Sequence, residues 1–276
     1  MKKKKTKIFI ITVILLFIII FSYQLLWGKL FPYSPIKIGF TKNELPHIII
    51  YKQNFAQSYN YKIIDSLISG IEKFHNLSFV KKPEIIFFSD RNTYLDRNFT
   101  NARFCAYPNG TLVVSPWAVK EASNNEISMK IYFKHELSHT LLYQHMDYLA
   151  AYFYYPRWLL EGIAMYSSEQ MGTSWYPDKE ETYNYIRQGN FLPPAYFNTS
   201  GEDKINLNMK NKIAFFYSEF GCIVDYLIEY YGKEKFMKYM TGLLHSHQPD
   251  KVFNDTYGIT LDSLLTNFKK DVNKLQ

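Results

Sequence analysis

The sequence contains few cysteines, and they are not arranged as in a metal site. Only Cys105 and Cys222 occur in 276 residues, and no C-x-x-C pair is present. A thiolate-bound zinc is therefore not indicated. If this part of the chain lies outside the cell, the two cysteines can form one disulfide; otherwise they are two buried free thiols. Both interpretations stay open, because the sequence does not give the distance between the two Cα atoms.

The chain also lacks the basic surface that a nucleic-acid partner needs. Its formal net charge is +7, but six lysines lie before residue 30. The remaining chain therefore carries a charge of only about +1, and its basic character reports an N-terminal lysine cluster. We expect no nucleic-acid partner.

A long apolar segment follows these lysines. Residues 8–27 have Thr12, Ser22 and Gln24 as their only polar interruptions, and about 20 apolar residues span the hydrocarbon core of a bilayer. Because five lysines precede the segment, the positive-inside rule predicts a single-pass protein of the cell membrane with most of the chain outside the cytoplasm. A cleaved signal peptide is the alternative. It is disfavoured because the segment is long and no small-residue cleavage site follows it.

The pattern along the chain predicts four regions. Residues 1–7 form a cytoplasmic lysine-rich head and residues 8–27 a transmembrane signal anchor. Residues 28–46 contain three prolines and read as a linker, or from Phe31 onward as the entry to the domain. Residues 47–276 then form one folded domain, for which 47% hydrophobic residues over the whole chain supply ample core material.

Within this domain, strand patterns come first and helical patterns follow. Strands are predicted at residues 47–51, 84–88, 103–107 and 111–115, and helices at residues 59–74 and 90–95. Asp90 is placed to cap the second of these helices, and Pro108-Asn109-Gly110 to turn a hairpin. The pattern is helical from Pro116 onward. We therefore predict an α+β fold, with a small N-terminal mixed sheet and helices followed by an all-helical half, preceded by one transmembrane helix.

The strongest functional pattern is H-E-x-x-H at residues 135–139, on a helix predicted at about residues 125–144. Residues four apart share one face of a helix, so the imidazoles of His135 and His139 point to one side. This spacing suits zinc, which takes nitrogen ligands at about 2.0–2.1 Å. Glu136 lies about 100° around the helix, where it can take a proton from a metal-bound water. The alternative is a solvated helix that carries two histidines by chance.

A catalytic zinc usually has three protein ligands and one open position. The best third candidate is Glu161, which 21 residues separate from His139. That distance allows a loop and a return to an antiparallel helix. Gly162 and Ala164 are small, which predicts a close approach of this helix to the metal helix. The alternative for Glu161 is a surface glutamate on an ordinary amphipathic helix.

Together the two segments resemble the gluzincin zinc metallopeptidases, most closely their peptidase MA-like branch. Residues 135–139 match H-E-L-[ST]-H, and residues 156–164 match P-x-W-L-x-E-G-x-A. A weaker similarity extends from about Tyr51 to the C-terminus. The resemblance implies a zincin-like fold, one zinc ion held by His135, His139 and Glu161, and Glu136 as general base in peptide-bond hydrolysis.

The resemblance implies two further features of the site. In related enzymes a tyrosine or histidine on a later helix stabilises the oxyanion; Tyr217 matches that position and Tyr166 is the second candidate. The strand at residues 111–115 resembles the edge strand on which an extended substrate adds by β-pairing. The alternatives are two core tyrosines and an ordinary core strand.

The chain departs from the family pattern after the third ligand. Many gluzincins have an aspartate there that orients a zinc histidine, but Met165, Ser167 and Ser168 follow Glu161 instead. The partner of the zinc histidines is therefore not identified. The loop between the ligand segments is also unusually aromatic, and its rings either rim the cleft, lie at the bilayer face or pack beneath the loop. They are Tyr143, Tyr148, Tyr152, Phe153, Tyr154 and Tyr155.

The sequence therefore predicts a membrane-anchored zinc metallopeptidase that acts on a peptide or protein substrate outside the cytoplasm. Two alternatives stay open. One is a catalytically silent binding module at the cell surface, which the intact Glu136 disfavours. The other is a zinc hydrolase of non-peptide amides, such as those of a cell wall.

Overall fold

A computed structural model describes residues 2–54, 59–194, 205–208 and 212–274 of the chain. These residues form a mixed α+β fold with twelve α-helices and one five-stranded sheet. The strands are β1 (Phe40–Glu44), β2 (Ile49–Gln53), β3 (Glu84–Phe87), β4 (Phe104–Ala106) and β5 (Thr111–Val114). The helices are α1 (Lys2–Leu26), α2 (Tyr61–Asp65), α3 (Ile68–His75), α4 (Arg91–Asp96), α5 (Pro116–Ser123), α6 (Met129–His145), α7 (Arg157–Ser168), α8 (Lys179–Tyr185), α9 (Lys212–Tyr231), α10 (Lys233–Gly242), α11 (Pro249–Tyr257) and α12 (Leu261–Val272). The α+β prediction is confirmed at this level.

The sheet has the order β1-β2-β3-β5-β4, with β2, β3 and β5 parallel and the two outer strands antiparallel to their neighbours. The predicted hairpin is confirmed as β4 and β5, and Gly110 in its turn has φ +84°, which glycine adopts at little cost. All four residues of β5 are buried. The prediction of an edge strand at residues 111–115 is therefore wrong: β5 lies between β3 and β4, and the edge strand on that side of the sheet is β4.

Two other predictions need correction near the start of the domain. Residues 28–46 are not a free linker, because β1 pairs with β2 and Phe31 is completely buried. The helix expected at residues 59–74 is two helices, α2 and α3, and the Ser66 hydroxyl donates to the Ile63 carbonyl where the first one ends. The cap at Asp90 is confirmed, since its Oδ1 accepts from the Thr93 amide at 2.8 Å.

The core consists of several clusters of buried apolar side chains, and the two largest meet at α6. Phe133, Leu137 and Leu141 of α6 pack with the sheet and α3. The helical half packs around α7 and α9, where Trp158 and Ile163 are buried with side chains of α10, α11 and α12. The third cluster lies around Phe88 and Tyr94. Through this arrangement α6 lies where the α/β part and the helical part join.

Gly162 serves a different contact from the one predicted. A Cβ atom added there would lie 2.6 Å from the Phe220 carbonyl oxygen and 2.8 Å from Val224 Cγ2. Both atoms belong to α9. The small residue therefore allows α7 to approach α9, and not the helix that carries the two histidines.

The N-terminal helix α1 is long and apolar enough to cross a membrane. A signal sequence has the same properties, and the helix lies close to the N-terminus. Its apolar side chains are exposed from Ile8 to Phe21. The membrane anchor and the topology stay predictions.

Candidate metal centre

The three predicted metal ligands converge on one point. His135 and His139 lie one turn apart on α6 and are buried, and their Nε2 atoms are 3.0 Å apart. Glu161 on α7 places its Oε2 3.3 Å from Nε2 of His135 and 3.4 Å from Nε2 of His139. One ligand atom from each residue lies within 4.8 Å of the others. This cluster can hold a metal ion.

The separations fit a small divalent ion. Ligands about 2.0–2.2 Å from a tetrahedral metal lie roughly 3.3–3.6 Å from one another. The observed separations of 3.0, 3.3 and 3.4 Å are close to these values. Two imidazole nitrogens and one carboxylate oxygen are also a donor set that zinc and its neighbours among the transition metals accept.

Within the cluster, the two imidazoles and the Glu161 carboxylate stabilise each other's charged forms. Burial alone would raise the pKa of Glu161, but the two imidazoles outweigh it and hold this pKa well below its usual range. Burial alone would lower the pKa of His139, but the Glu161 carboxylate outweighs that effect and raises it. The carboxylate is therefore ionised at neutral pH, as a metal ligand must be.

Neither Ser167 nor Ser168 forms a hydrogen bond with the histidine rings. The hydroxyls of Ser167 and Ser168 donate to carbonyls of their own helix. Nδ1 of His135 and Nδ1 of His139 are buried and have no hydrogen-bond partner in the part of the chain that the structure describes. The ring of His135 instead stacks on Tyr217, with 6.4 Å between centroids and 12° between planes.

Glu136, the predicted base, lies in the same cleft as the three ligands. Its Oε2 accepts a hydrogen bond from the Ala106 amide of β4 at 2.8 Å. Burial raises the pKa of Glu136, which makes its carboxylate a better proton acceptor. The edge strand and the candidate base are thus in direct contact.

Of the two tyrosine candidates, only Tyr217 lines the cleft. The negative charge of Glu161, followed by burial, raises the pKa of Tyr217 well above its usual value. Its hydroxyl therefore stays protonated at neutral pH and can donate. The Tyr166 ring packs instead on Phe74, with 5.9 Å between centroids.

The cleft has a volume of about 450 Å³. The sequence did not reveal several of its walls: β4, Arg157 at the start of α7, and the loop after α7 with Gln170 and Trp175. Arg157 lies one turn before Glu161 in the second motif segment, and that spacing was the available signal. The loop residues carried no local signal, because they reach the cleft only through the packing of α7.

Neither cysteine forms a disulfide. Cys105 lines the cleft, whereas Cys222 is buried in the helical core with its Sγ 3.9 Å from Met171 Sδ. Both thiols are therefore free, as one of the two interpretations expected, but only Cys222 is fully buried. His145 contacts the Ser78 carbonyl and His247 contacts Asp147, both away from the cluster.

Two of the aromatic residues between the ligand segments occupy predicted positions, one at the cleft and one beneath the loop. Tyr143 lines the cleft and Tyr155 is buried. The remaining rings are exposed, and they are Tyr148, Tyr152, Phe153 and Tyr154.

No protein-family model and no curated protein matches this chain. The gluzincin resemblance therefore depends on the two motif segments and stays a prediction.

Proposed function

We propose that this protein is a membrane-anchored, zinc-dependent metallopeptidase with a zincin-like fold, of the gluzincin type, whose catalytic domain lies outside the cytoplasm. The observation that carries the proposal is the convergence of His135, His139 and Glu161 beside Glu136 in one cleft. These four residues come from two separate segments of the chain. Only folding brings them together, and metal-assisted hydrolysis calls for such a set of three ligands and one base.

In this proposal His135, His139 and Glu161 hold one zinc ion. The bound ion would supply a polarised carbonyl and an acidic water. Glu136 accepts the proton of the attacking water at its carboxylate and returns it to the leaving amine. Tyr217 donates from its hydroxyl to the developing oxyanion.

The edge strand supports a peptide as the substrate. Among the residues that the structure describes, β4 has only β5 as a neighbour in the sheet, and its residues Phe104, Cys105 and Ala106 line the cleft. An extended peptide can add to such an edge through main-chain hydrogen bonds. We therefore propose that β4, which lies next to Glu136, pairs with the extended substrate, the role that the resemblance implied for residues 111–115.

Two measurements on purified protein test the proposal. Elemental analysis should find one zinc per chain in the wild type and in Glu136→Gln, and almost none in His139→Ala. Cleavage of a peptide library should occur with the wild type and be lost in Glu136→Gln, which keeps all three ligands. Equal zinc in the wild type and His139→Ala would contradict the site, and equal cleavage by the wild type and Glu136→Gln would contradict the mechanism.

The same measurements, with a cell-wall amide as an additional substrate, separate the alternatives. Zinc binding without cleavage of any peptide would favour a binding module. Zinc-dependent release of products from cell-wall amides, with peptides left intact, would favour a hydrolase of non-peptide bonds.

A further inference from the structure

Two loops expose large apolar side chains beside the end of α1. The first loop contributes Phe99, which is 66% exposed, and the second contributes Tyr148 and Phe153, at 71% and 76%. We call this group the aromatic patch, and its members are Phe99, Tyr148, Leu149, Tyr152 and Phe153. Folded soluble proteins rarely expose contiguous apolar groups of this kind without a partner.

The patch is continuous with the C-terminal end of α1. Tyr33 lies seven residues after the end of α1, and its hydroxyl is 3.0 Å from the hydroxyl of Tyr152. Phe99 and Tyr152 also share a surface cavity of about 460 Å³ with Phe21 and Leu25 of α1. The two patch loops and the last turns of α1 therefore meet at one place on the molecule.

The chemistry of the patch fits the interface of a lipid bilayer. If α1 crosses the membrane, its last turns lie at the headgroup level, where Tyr23 and Trp27 are the side chains expected. The patch adjoins these turns and is itself built from tyrosine, phenylalanine and leucine. Amphipathic rings settle at this level, with the apolar body in the acyl boundary and the hydroxyl in water.

We propose that the aromatic patch inserts into the outer interfacial layer of the same bilayer that α1 crosses. The domain then rests against the membrane surface and does not move freely at the end of a tether. This inference relies on the membrane-anchor part of the proposed function.

The patch also borders the cleft. Phe99 directly precedes Thr100, which lines the cleft, and the second patch loop runs into Arg157, which lines it as well. Two walls of the cleft therefore begin where the patch loops end. This arrangement assigns the substrate class: polypeptide segments that lie close to the membrane surface, such as the stalks of other anchored proteins.

Fluorescence of the full chain in phosphatidylcholine vesicles tests the insertion. Phe153→Cys carries an environment-sensitive label, and Tyr230→Cys is the matched control, since Tyr230 is also an aromatic residue and 68% exposed, on α9. Unsubstituted protein gives the background labelling of Cys105 and Cys222. We expect a blue shift and quenching by lipids brominated near the headgroup for the label at position 153, and neither effect at position 230.

Flotation of the same samples separates the two ways in which the inference can fail. Protein that floats with the vesicles while position 153 stays as solvent-exposed as position 230 overturns the patch and leaves the anchor intact. Protein that does not float overturns both.

A second comparison tests the substrate class. Phe153→Ser should cleave a vesicle-anchored peptide several-fold more slowly than the wild type does, and a soluble peptide of the same sequence at the wild-type rate. Equal rates on the anchored peptide would contradict the assignment. If the wild type cleaves neither peptide, the peptidase proposal fails, and with it the substrate class, while the fluorescence result still decides the insertion.

Discussion

The hydroxyl of Ser138 donates a hydrogen bond to Nε2 of His75 at 2.8 Å and connects the H-E-x-x-H helix to α3. Nδ1 of His75 donates to the Ile71 carbonyl at 2.9 Å, so Nε2 carries no proton and can only accept. Both side chains are completely buried. Ser138, which lies between the two candidate metal ligands of α6, thus fixes this helix against the sheet side of the fold.

Ser138→Ala should destabilise the fold, because it leaves a buried ring nitrogen without a partner. We expect a loss of about 1–3 kcal/mol in the free energy of unfolding. Ser167→Ala is the control, since that half-buried hydroxyl donates only to the Ala164 carbonyl of its own helix. Its effect should stay within about 0.5 kcal/mol. Urea unfolding in the presence of a chelator measures both variants, and equal losses would contradict this role for Ser138.

His75 should make stability depend on pH. Burial, together with the positive charges of His139 and Lys233, lowers the pKa of His75 from 6.5 to about 4, although the bond to Ile71 opposes this. Below pH 6.5 the unfolded chain binds a proton that the folded protein excludes. The contribution of the neutral His75 to the free energy of unfolding is therefore fully present above about pH 6.5. This free energy falls by roughly 3 kcal/mol as the pH drops to about 4.

Comparison with His75→Gln isolates this effect. The variant should be less stable than the wild type at pH 7.5, and the gap should narrow as the pH approaches 4. Unfolding free energies at several pH values measure the gap, and a gap that stays constant would rule out His75 as the cause.

Tyr217→Phe should lower kcat by a factor of about ten or more while zinc is retained, because it removes one oxyanion donor. Tyr166→Phe is the matched control and should leave kcat close to the wild-type value, since its ring packs on Phe74 outside the cleft. Steady-state kinetics with elemental analysis of each variant gives the answer. Unchanged turnover in Tyr217→Phe would remove this residue from the mechanism.

Gly162→Ala should destabilise the protein by about 1–3 kcal/mol, because the new Cβ would meet the backbone of α9. Gly70→Ala offers a control within another helix, α3, where an added Cβ meets nothing within 4 Å. That substitution should stabilise the fold by about 0.4–1 kcal/mol. Thermal unfolding of the two variants should therefore show shifts of opposite sign.

The local features of the site could be predicted from sequence because they depend on spacing. Helical periodicity aligns His135 with His139, and a motif segment supplies Glu161. The edge strand could not be predicted, since the order of strands in a sheet depends on long-range pairing. Thr111–Val114 is buried at every position. Such a mostly apolar run does not show whether the strand lies inside the sheet or at its edge.

The partner of Gly162 could not be predicted for a similar reason. A small residue indicates a close approach, but not which helix makes it. The role of Ser138 was hidden as well, because its partner lies 63 residues earlier in the chain. Tyr217 and Tyr166 became distinguishable only once the packing of α7 against α9 placed one ring in the cleft.

The candidate ligands belong to two differently packed halves. The helix that carries both histidines contributes most of its apolar side chains to the sheet-side core, whereas Leu159, Leu160 and Ile163 around Glu161 belong to the helical core. An ion held between them would act as a cross-link between these cores. Removal of the ion would abolish the proposed hydrolysis and would also make thermal unfolding less cooperative. Chelated protein would therefore unfold over a broader temperature range than the metal-bound form.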